Sequence, residues 1–569
     1  MHKFSKMFEP LLAPVPGVLD GQIGTTIAGI TAAITAAESA GQATTYAPAA
    51  DPRAGRPAAP LLMPVPTSSG TGVFNELLIP GADSGAISIP SAYNLVSYNG
   101  TGTVIGGSSG TALIGQDSAG NLTSLNANGG FGTVLAGGGQ GQGQITDSAT
   151  GAQIIVARGN FAINSQGNRQ NIALGNGVWA GVTISGASST LQIGDADSTV
   201  PGQLRGGDFA LITGTKTTIS TLPDQNIWYN VAKGATGTVF NMSGTVPGTD
   251  TNVVISLNEA ATINGSNGNL VVFNLAGRGV TFNGTGNTGT AYVVDDVGGS
   301  HVTTGLHTVF WNEPSTGPDT IRAGGGANDT IFAQHAVNYH GENGASLFFD
   351  GKYNSTEGAN TISAAANATI YGGAAGGAYS IGGGTFFFTA AAGGSSAVPV
   401  RDIATQTSLS GGGAQFFLYT NTNESLTVTT VAGAVGSGLN LLATGSNTVL
   451  DATNALGHDT VWMLSTANSG GVDAVTGAAT ILGSTAGNET FTLYMDNAAE
   501  TAHTIDIQNW QASNTFVLQN AAGTGTGVYT PADVATINAF NAGGHSSFTL
   551  SDGTTVSFSG AAPTHITLV

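Results

Sequence analysis

The chain has no cysteine, so disulfide staples and cysteine-based zinc or redox motifs are excluded. Charge is also scarce: 8% of 569 residues are Asp, Glu, Lys or Arg, against about a quarter in an average soluble domain. Long helices built on Glu, Lys and Arg are therefore not expected. Only 13 basic residues face 33 acidic ones, a net charge of -20. That balance excludes nucleic acid as a partner, which needs clustered Lys and Arg. It suits a calcium-containing extracellular medium, where cations neutralise carboxylates. No apolar run approaches the ~20 residues of a membrane span, so no transmembrane segment is expected. The N-terminus lacks a Sec-type signal, because Pro14 and Pro16 break the apolar stretch between Leu11 and Leu19. Gly-x-Ser-x-Gly, His-Glu-x-x-His and P-loop patterns are absent, which removes the common hydrolase, zinc-protease and nucleotide-binding modules.

What remains is glycine, 88 of them, with 40% hydrophobic residues. That apolar share separates the chain from disordered polymers. Residues 1–66 stand apart. Ile23, Ile27, Ile30 and Ile34 recur at helical spacing within Gly21 to Ala40, which predicts one short helix serving as a cap or an assembly segment. Six prolines between Gly41 and Pro66 predict an extended linker. From residue 67 onward, short apolar runs alternate with Gly and Asn. Gly102 to Gly106, Thr111 to Gly115, Gly132 to Ala136, Gln153 to Val156, Asn171 to Leu174 and Val182 to Ile184 are examples. Such runs are too short for helices and suit strands that stack coil upon coil, β-branched side chains inward and glycine at the corners.

A degenerate phrase, Gly-x-(Asp/Asn/His/Glu)-Thr-(Ile/Val/Phe), recurs along the second half. Its copies begin at Gly305, Gly317, Gly358, Gly445, Gly457 and Gly487, and a fuller one runs from Gly324 to Phe332. A turn followed by a short strand, repeated, predicts an all-β parallel β-solenoid, a β-helix-like body. The expected parts are a helix and linker over 1–66, a Gly/Asn-rich repeat body over 67–300, a phrase-bearing region over 301–500 and a cap over 501–569. Within the cap, Ser551-Asp552-Gly553-Thr554 predicts a hairpin turn between Ser547 to Leu550 and Thr555 to Phe558.

The copy Gly324-Gly325-Gly326-Ala327-Asn328-Asp329-Thr330-Ile331-Phe332 resembles the calcium-binding nonapeptide G-G-x-G-x-D-x-U-x, with Ala327 at one glycine position. With Leu550-Ser551-Asp552-Gly553-Thr554-Thr555-Val556-Ser557-Phe558, it makes residues 300–569 resemble RTX-type proteins exported by type I secretion. The resemblance implies an uncleaved C-terminal export signal in 501–569 and a secreted, extracellular or cell-surface location. It also implies calcium as cofactor. Asp319 and Asp329, with Asn328 and more weakly Asp459, are the candidate ligands, Asp319 and Asp329 sharing one site. Consecutive nonapeptide arrays are absent, and most aspartate positions carry Asn, His or Glu instead.

Two polar groups are candidates for chemistry. His335, Tyr339, His340 and Glu342 cluster after the fullest repeat and could serve a carbohydrate-active β-helix enzyme of lyase or epimerase type. Asp295 and Asp296 are adjacent, which in a strand sends them to opposite faces. Two aromatic runs, Phe386 to Phe388 and Phe416 to Phe417, cannot lie wholly in a core and point to a covering loop or a subunit contact. The scarcity of Lys and Arg disfavours an enzyme on acidic glycans. The expected function is a nonenzymatic surface-layer, biofilm-matrix or adhesin component that self-associates or attaches to cell-surface or matrix polysaccharide. A calcium-stabilised glycan-binding module is the other alternative.

Overall fold

The structure is a computed structural model. It describes residues 18–46, 61–63, 65–66, 73–79, 86–98, 103–106, 112–115, 126–136, 142–156, 159–175, 178–193, 208–221, 227–242, 252–265, 269–275, 278–285, 289–312, 317–324, 328–341, 347–350, 360–364, 368–372, 377–381, 384–389, 400–406, 415–419, 424–430, 440–443, 448–455, 457–464, 478–495, 504–520 and 529–569. The chain forms two compact units, 1–292 and 293–569. Each is a parallel β-solenoid, as the sequence texture predicts. Successive strands alternate between two sheets, so one coil consists of a strand in each sheet and two corners. Aligned residues on neighbouring coils are separated by as few as 16 residues, from Ala368 to Gly384, and as many as 51, from Thr504 to Thr555 in the last coil. Register is kept while the connecting length varies, because the sheets' hydrogen bonds constrain only the strands.

Side-chain alternation fills the space between the sheets. In the first unit, Val134, Ile154, Ile172, Leu191, Ile219, Phe240, Ile263 and Phe282 are buried. They are aligned one above another in one sheet. Ile145, Ile163, Val182, Ala210, Tyr229, Ile255 and Val272 do the same in the other. Each large member contributes about 1.5–3 kcal/mol through burial. The ladders also fix phase, since a one-residue slip would turn every inward group out.

At one corner of the first unit the coils approach so closely that no side chain fits. A Cβ on Gly186 would lie 1.8 Å from the Gly167 carbonyl oxygen, and one on Gly214 would lie 2.2 Å from that of Gly186. Stacked glycines are therefore a packing requirement here.

The predicted N-terminal helix spans Val18–Ser39. It packs against strands Ala43–Tyr46 and Phe74–Ile79, and the Thr26 hydroxyl donates to Gln153 Oε1 at 3.2 Å. It thus lies across the outer face of one sheet. The residues of that face explain the position. The outward column that includes Leu135, Ile155 and Ala173 is buried. It then turns polar at Gln192, Ser220, Asn241, Asn264 and Asn283. Parts of the expected linker are strands instead: Ala43–Tyr46 pairs with Phe74 to Leu77 and Leu61–Leu62 with Ile87 to Ser88. The remainder of 47–60 lies outside the described residues.

The second unit closes on the predicted hairpin. Ser547–Thr549 runs antiparallel to Thr555–Ser559, with Gly553 at φ 90° in the turn. Sequence reading missed a helix, Pro531–Asn541, just before it. Ile537 is buried, and Phe540 joins Phe516, Phe548, Phe558 and Trp510 in one aromatic cluster over the last coils. Thr530-Pro531-Ala532-Asp533 was the available signal: a capping box with proline at the first helical position. Among the described residues, no helix is long and apolar enough to cross a membrane.

Candidate functional site

The recurring phrase marks a corner, and each coil has two. Gly305 leads into strand His307–Asn312 of one sheet, Gly317 into Asp319–Arg322 of the other, and Gly324 to Asp329 into Thr330–Ala333 of the first again. Spacings of about 10–12 residues are thus half-coils, and the 30 residues from Gly457 to Gly487 are a full coil. This is the physical reason for the phrase's uneven spacing. The polar residue of the phrase points inward as the chain enters the strand. Asp319, Asp329, Asn360, Asp459 and Glu489 are all buried. At Gly305 the inward position belongs to Thr308, while His307 is exposed. Asn447 lies outside the described residues, and its neighbour Thr448 is buried.

These inward groups cap the corner of the preceding coil. Asp319 Oδ1 accepts the Ser300 N–H at 2.8 Å, and Asn360 Oδ1 accepts the Val337 N–H at 2.8 Å. Asn514 Oδ1 accepts the Glu489 N–H at 3.0 Å. In the first unit, Asn94 Oδ1 receives the Asn75 N–H at 2.8 Å and Ser189 Oγ the Gln170 N–H at 3.2 Å. In each case the donor is the residue aligned with the cap one coil earlier. The chain turns at that point, so an amide at the end of the ladder has no strand partner, and an inward Asn, Asp or Ser supplies one.

The carboxylates among these caps are held in an unusual state. Asp319 is fully buried, and Asn312 Nδ2 donates to its Oδ2 at 2.5 Å. Burial and the adjacent charge of Asp295 raise its pKa to about 7. Asp295 itself accepts the Val297 and Gly298 N–H groups at 3.0 and 3.2 Å. Its neighbour Asp296 is half-exposed. Asp329 accepts the Thr304 hydroxyl at 2.7 Å, and burial raises it to about 7. Glu489 accepts Ser484 N–H at 2.8 Å and Asn514 Nδ2 at 3.0 Å. Burial, with the charge of Asp459 nearby, raises it to about 7. Sequence reasoning missed a fourth such group, Asp147, which binds the amides of Ala149 and Phe131 and the Gln170 side chain. Burial raises it to about 6.

The candidate calcium ligands are not brought together. Asp319 begins a strand of one sheet and Asp329 precedes a strand of the other, so they occupy opposite corners of a coil and bind different partners. Asn328 is exposed, with its N–H on the Leu306 carbonyl at 2.8 Å. Asp459 stacks with Glu489 well down the chain. Calcium requires six to eight oxygens. Among the described residues, no three His, Asp or Glu side chains converge, and the oxygens of Asp319 and Glu489 face N–H donors. Asp329 Oδ1 is buried without a partner. As placed, these carboxylates serve as corner caps.

The polar cluster after the fullest repeat is also divided. Tyr339 is fully buried inside the coil and His340, next to it, lies on the outer side. His335 gives its backbone N–H to Asn312 Oδ1 at 2.7 Å, and Glu342 lies outside the described residues. Strand alternation separates what the sequence places side by side.

The second unit's outer face carries a different pattern. Trp311 and Phe332 are adjacent in register, with ring centroids 5.0 Å apart and planes tilted by 33°. Phe349, Tyr371, Phe387 and Phe417 occupy the same register position on the following strands. Comparison with protein families, with characterised proteins and with solved structures finds no match to this chain; the RTX-type resemblance is compatible with the parallel β-solenoid and otherwise rests on the repeat residues alone.

Proposed function

We propose that this protein is a secreted, nonenzymatic extracellular structural component, of surface-layer, biofilm-matrix or adhesin kind. It works by self-association or attachment to a surface. The observation that carries this reading is the outer face of the first unit. Gln192, Ser220, Asn241, Asn264 and Asn283 stand in one register column, and Asn264 Nδ2 donates to Asn241 Oδ1 at 2.8 Å. A regular, uncharged amide face repeats its contacts coil by coil, which is what lateral association into a filament or lattice requires. The division of Tyr339 and His340 between the two sides of one strand, with His335 in the bend before it, weighs against the lyase or epimerase alternative.

Export belongs to the same proposal. Residues 501–569 carry the type I signal, and calcium outside the cell is an optional stabiliser of the corners. Electron microscopy and light scattering on purified full-length protein test the reading, with and without calcium. Filaments, sheets or growing oligomers support it. A monodisperse monomer at high concentration in both conditions overturns it and restores the soluble enzyme. Fusing residues 501–569 to a passenger tests the export half: a passenger retained in the cell removes it.

A further inference from the structure

The first coil of the first unit and the last coil of the second are finished differently. The last coil is sealed. Asn541 of the C-terminal helix donates Nδ2 to the Ile566 carbonyl at 3.0 Å and accepts the Ile566 N–H on Oδ1 at 2.7 Å, the two bonds that a further strand would make. The Tyr529 hydroxyl donates to the Val569 carbonyl at 2.7 Å. Phe548, Val556, Phe558 and Ile566 are buried, and the helix packs on their strands. Among the described residues the first coil has no such seal. Ala43–Tyr46 pairs with Phe74 to Leu77 and Leu61–Leu62 with Ile87 to Ser88, and neither has a strand on its other side. The Phe74 N–H reaches the Gln42 carbonyl at 3.2 Å. A parallel strand turns alternate residues to alternate sides, so the backbone groups of Ala43 and Thr45 face the open edge. Tyr46 is aligned with the fully buried Leu77 and so points inward, yet it is 40% exposed. Leu62 and Val65, at 71% and 68%, are the two most exposed large apolar side chains among the described residues. Neither edge strand carries a charged residue, a common guard of such edges. The N-terminal helix lies across the outer face of the sheet and leaves the edge clear, with Thr26 on Gln153 several strands away.

From this contrast we infer that the open first coil docks on the first coil of a second copy, with Ala43–Tyr46 antiparallel to its counterpart across a two-fold axis. The axis reverses the strand direction. Two identical edges then meet N–H to C=O, so the contact is self-complementary. It also covers the inward Tyr46, which the first coil alone leaves wet, and brings the exposed Leu62 and Val65 towards a partner. The sealed last coil excludes the head-to-tail alternative. There Asn541 already occupies the Ile566 backbone and the helix covers the core, so an incoming edge finds no strand to extend. A head-to-head contact uses up its own surface and stops at two copies; larger assemblies need another face, such as the amide column of the first unit. The inference rests on the self-association reading above and names one contact within it.

Sedimentation velocity of full-length protein over a concentration series reads the dimer. Thr45→Pro removes an edge-facing N–H and leaves the pairing with Phe74 to Leu77 intact. It should weaken dimerisation about tenfold or more, since each dimer carries the change twice. Thr45→Ala keeps the N–H while losing the hydroxyl bond to Glu76, and should dimerise like the native chain. Leu62→Lys, which sets a charge at the edge, should weaken the dimer too. Circular dichroism should report intact strands in all variants. The chain holds no cysteine, so Thr45→Cys and Thr567→Cys each add a single thiol, both at exposed positions. A short bismaleimide should join Thr45→Cys copies to one another and should not join them to Thr567→Cys copies in a mixture. Cross-linking in the mixture, or undiminished association of both Thr45→Pro and Leu62→Lys, would overturn the inference and leave self-association to another surface. Hydrogen exchange over 43–46 that is equally slow at low and high concentration would show the chain covering its own edge, and would overturn it as well. A native monomer at every concentration sinks this inference together with the self-association reading.

Discussion

Replacing Asp329 by Asn should stabilise the second unit more at pH 8 than at pH 5, by about 3 kcal/mol. Asp329 is 1% exposed, and its carboxyl is raised from an ordinary 3.8 to about 7 by burial. A group whose pKa is raised by folding favours the folded state fully only below its unfolded value. Its contribution is lost as pH rises towards the folded value and is gone above it. From pH 5 to about 7, at 1.36 kcal/mol per pH unit, the wild type loses about 3 kcal/mol through this one group. The amide does not titrate, yet its oxygen still accepts the Thr304 hydroxyl that Asp329 Oδ2 accepts at 2.7 Å. The other raised carboxyls occur in both proteins and cancel in the comparison. Repeat arrays seldom unfold in one step, so a single melting midpoint is a poor readout. Hydrogen exchange on the full chain in chelator, followed in peptides covering 301–341, measures the local free energy directly. The difference between variant and wild type should grow by about 3 kcal/mol between pH 5 and pH 8. An unchanged pH slope, or equal destabilisation at both values, would refute the neutral-cap account. A calcium arm at pH 8 separates the two roles. Calcium protecting the wild type but not the variant identifies Asp329 as a ligand after all.

Three further outcomes follow from other places in the fold. Glu76 is buried beneath the N-terminal helix beside Thr45, and burial, with the charge of Glu38 added, raises it to about 8; raising pH through 8 should loosen the helix. Limited proteolysis at pH 7 and 9 should show that loosening in the wild type and not in Glu76→Gln; equal digestion of the two at pH 9 contradicts it. Gly186→Ala puts a methyl 1.8 Å from a carbonyl oxygen and should cost about 3 kcal/mol or more of exchange protection in the neighbouring coils. Gly181→Ala, with no atom within 4 Å of the new methyl, is the neutral control. Asp533 accepts from Thr530 N and Oγ1 at 2.9 and 2.5 Å and from Ser551 N and Oγ at 2.6 and 2.8 Å. Burial would raise its pKa, but these bonds outweigh it and hold the carboxyl below the usual range. Its stabilisation is therefore present above the unfolded value and lost as pH falls through the folded one. Asp533→Ala should expose the C-terminal strands by about 2–3 kcal/mol at pH 7, and exchange indistinguishable from wild type would refute the cap.

The solenoid was legible because every level of the sequence agrees on it. Short β-branched runs, glycine corners and inward-capping Asn all favour the same stack. The phase of the coils was not legible. Both copies, at Gly317 and at Gly324 to Asp329, end on Asp-Thr-Ile, although one enters one sheet and the next enters the other. Only the pairing of Asp319 with Val337, a full coil later, shows that two phrases make one turn. The helix Pro531–Asn541 was hidden for another reason. Its buried positions are few, so it lacks a strong apolar stripe, and its clearest mark is the Thr530–Asp533 capping box, which is shorter than any periodicity.

The candidate site divides in the same way. That the phrase's aspartates matter could be read from the sequence, but not how. A carboxylate that caps an amide and one that binds calcium occupy the same corner of the same turn. They differ in what faces the oxygens, and that is set by residues far along the chain. Ser300 and Asn312 decide it for Asp319, and Thr304 decides it for Asp329. The aromatic column shows the converse. Phe386 to Phe388 and Phe416 to Phe417 announce themselves as runs, and the sequence invites each run to be explained by itself. Strand register takes one position from each, Phe387 and Phe417, and aligns it with Trp311, about 76 and 106 residues earlier in the chain. Connections of unequal length hide that alignment from any fixed period. In a solenoid, neighbours on a sheet are therefore set across coils, and they become readable only when strand pairing is known.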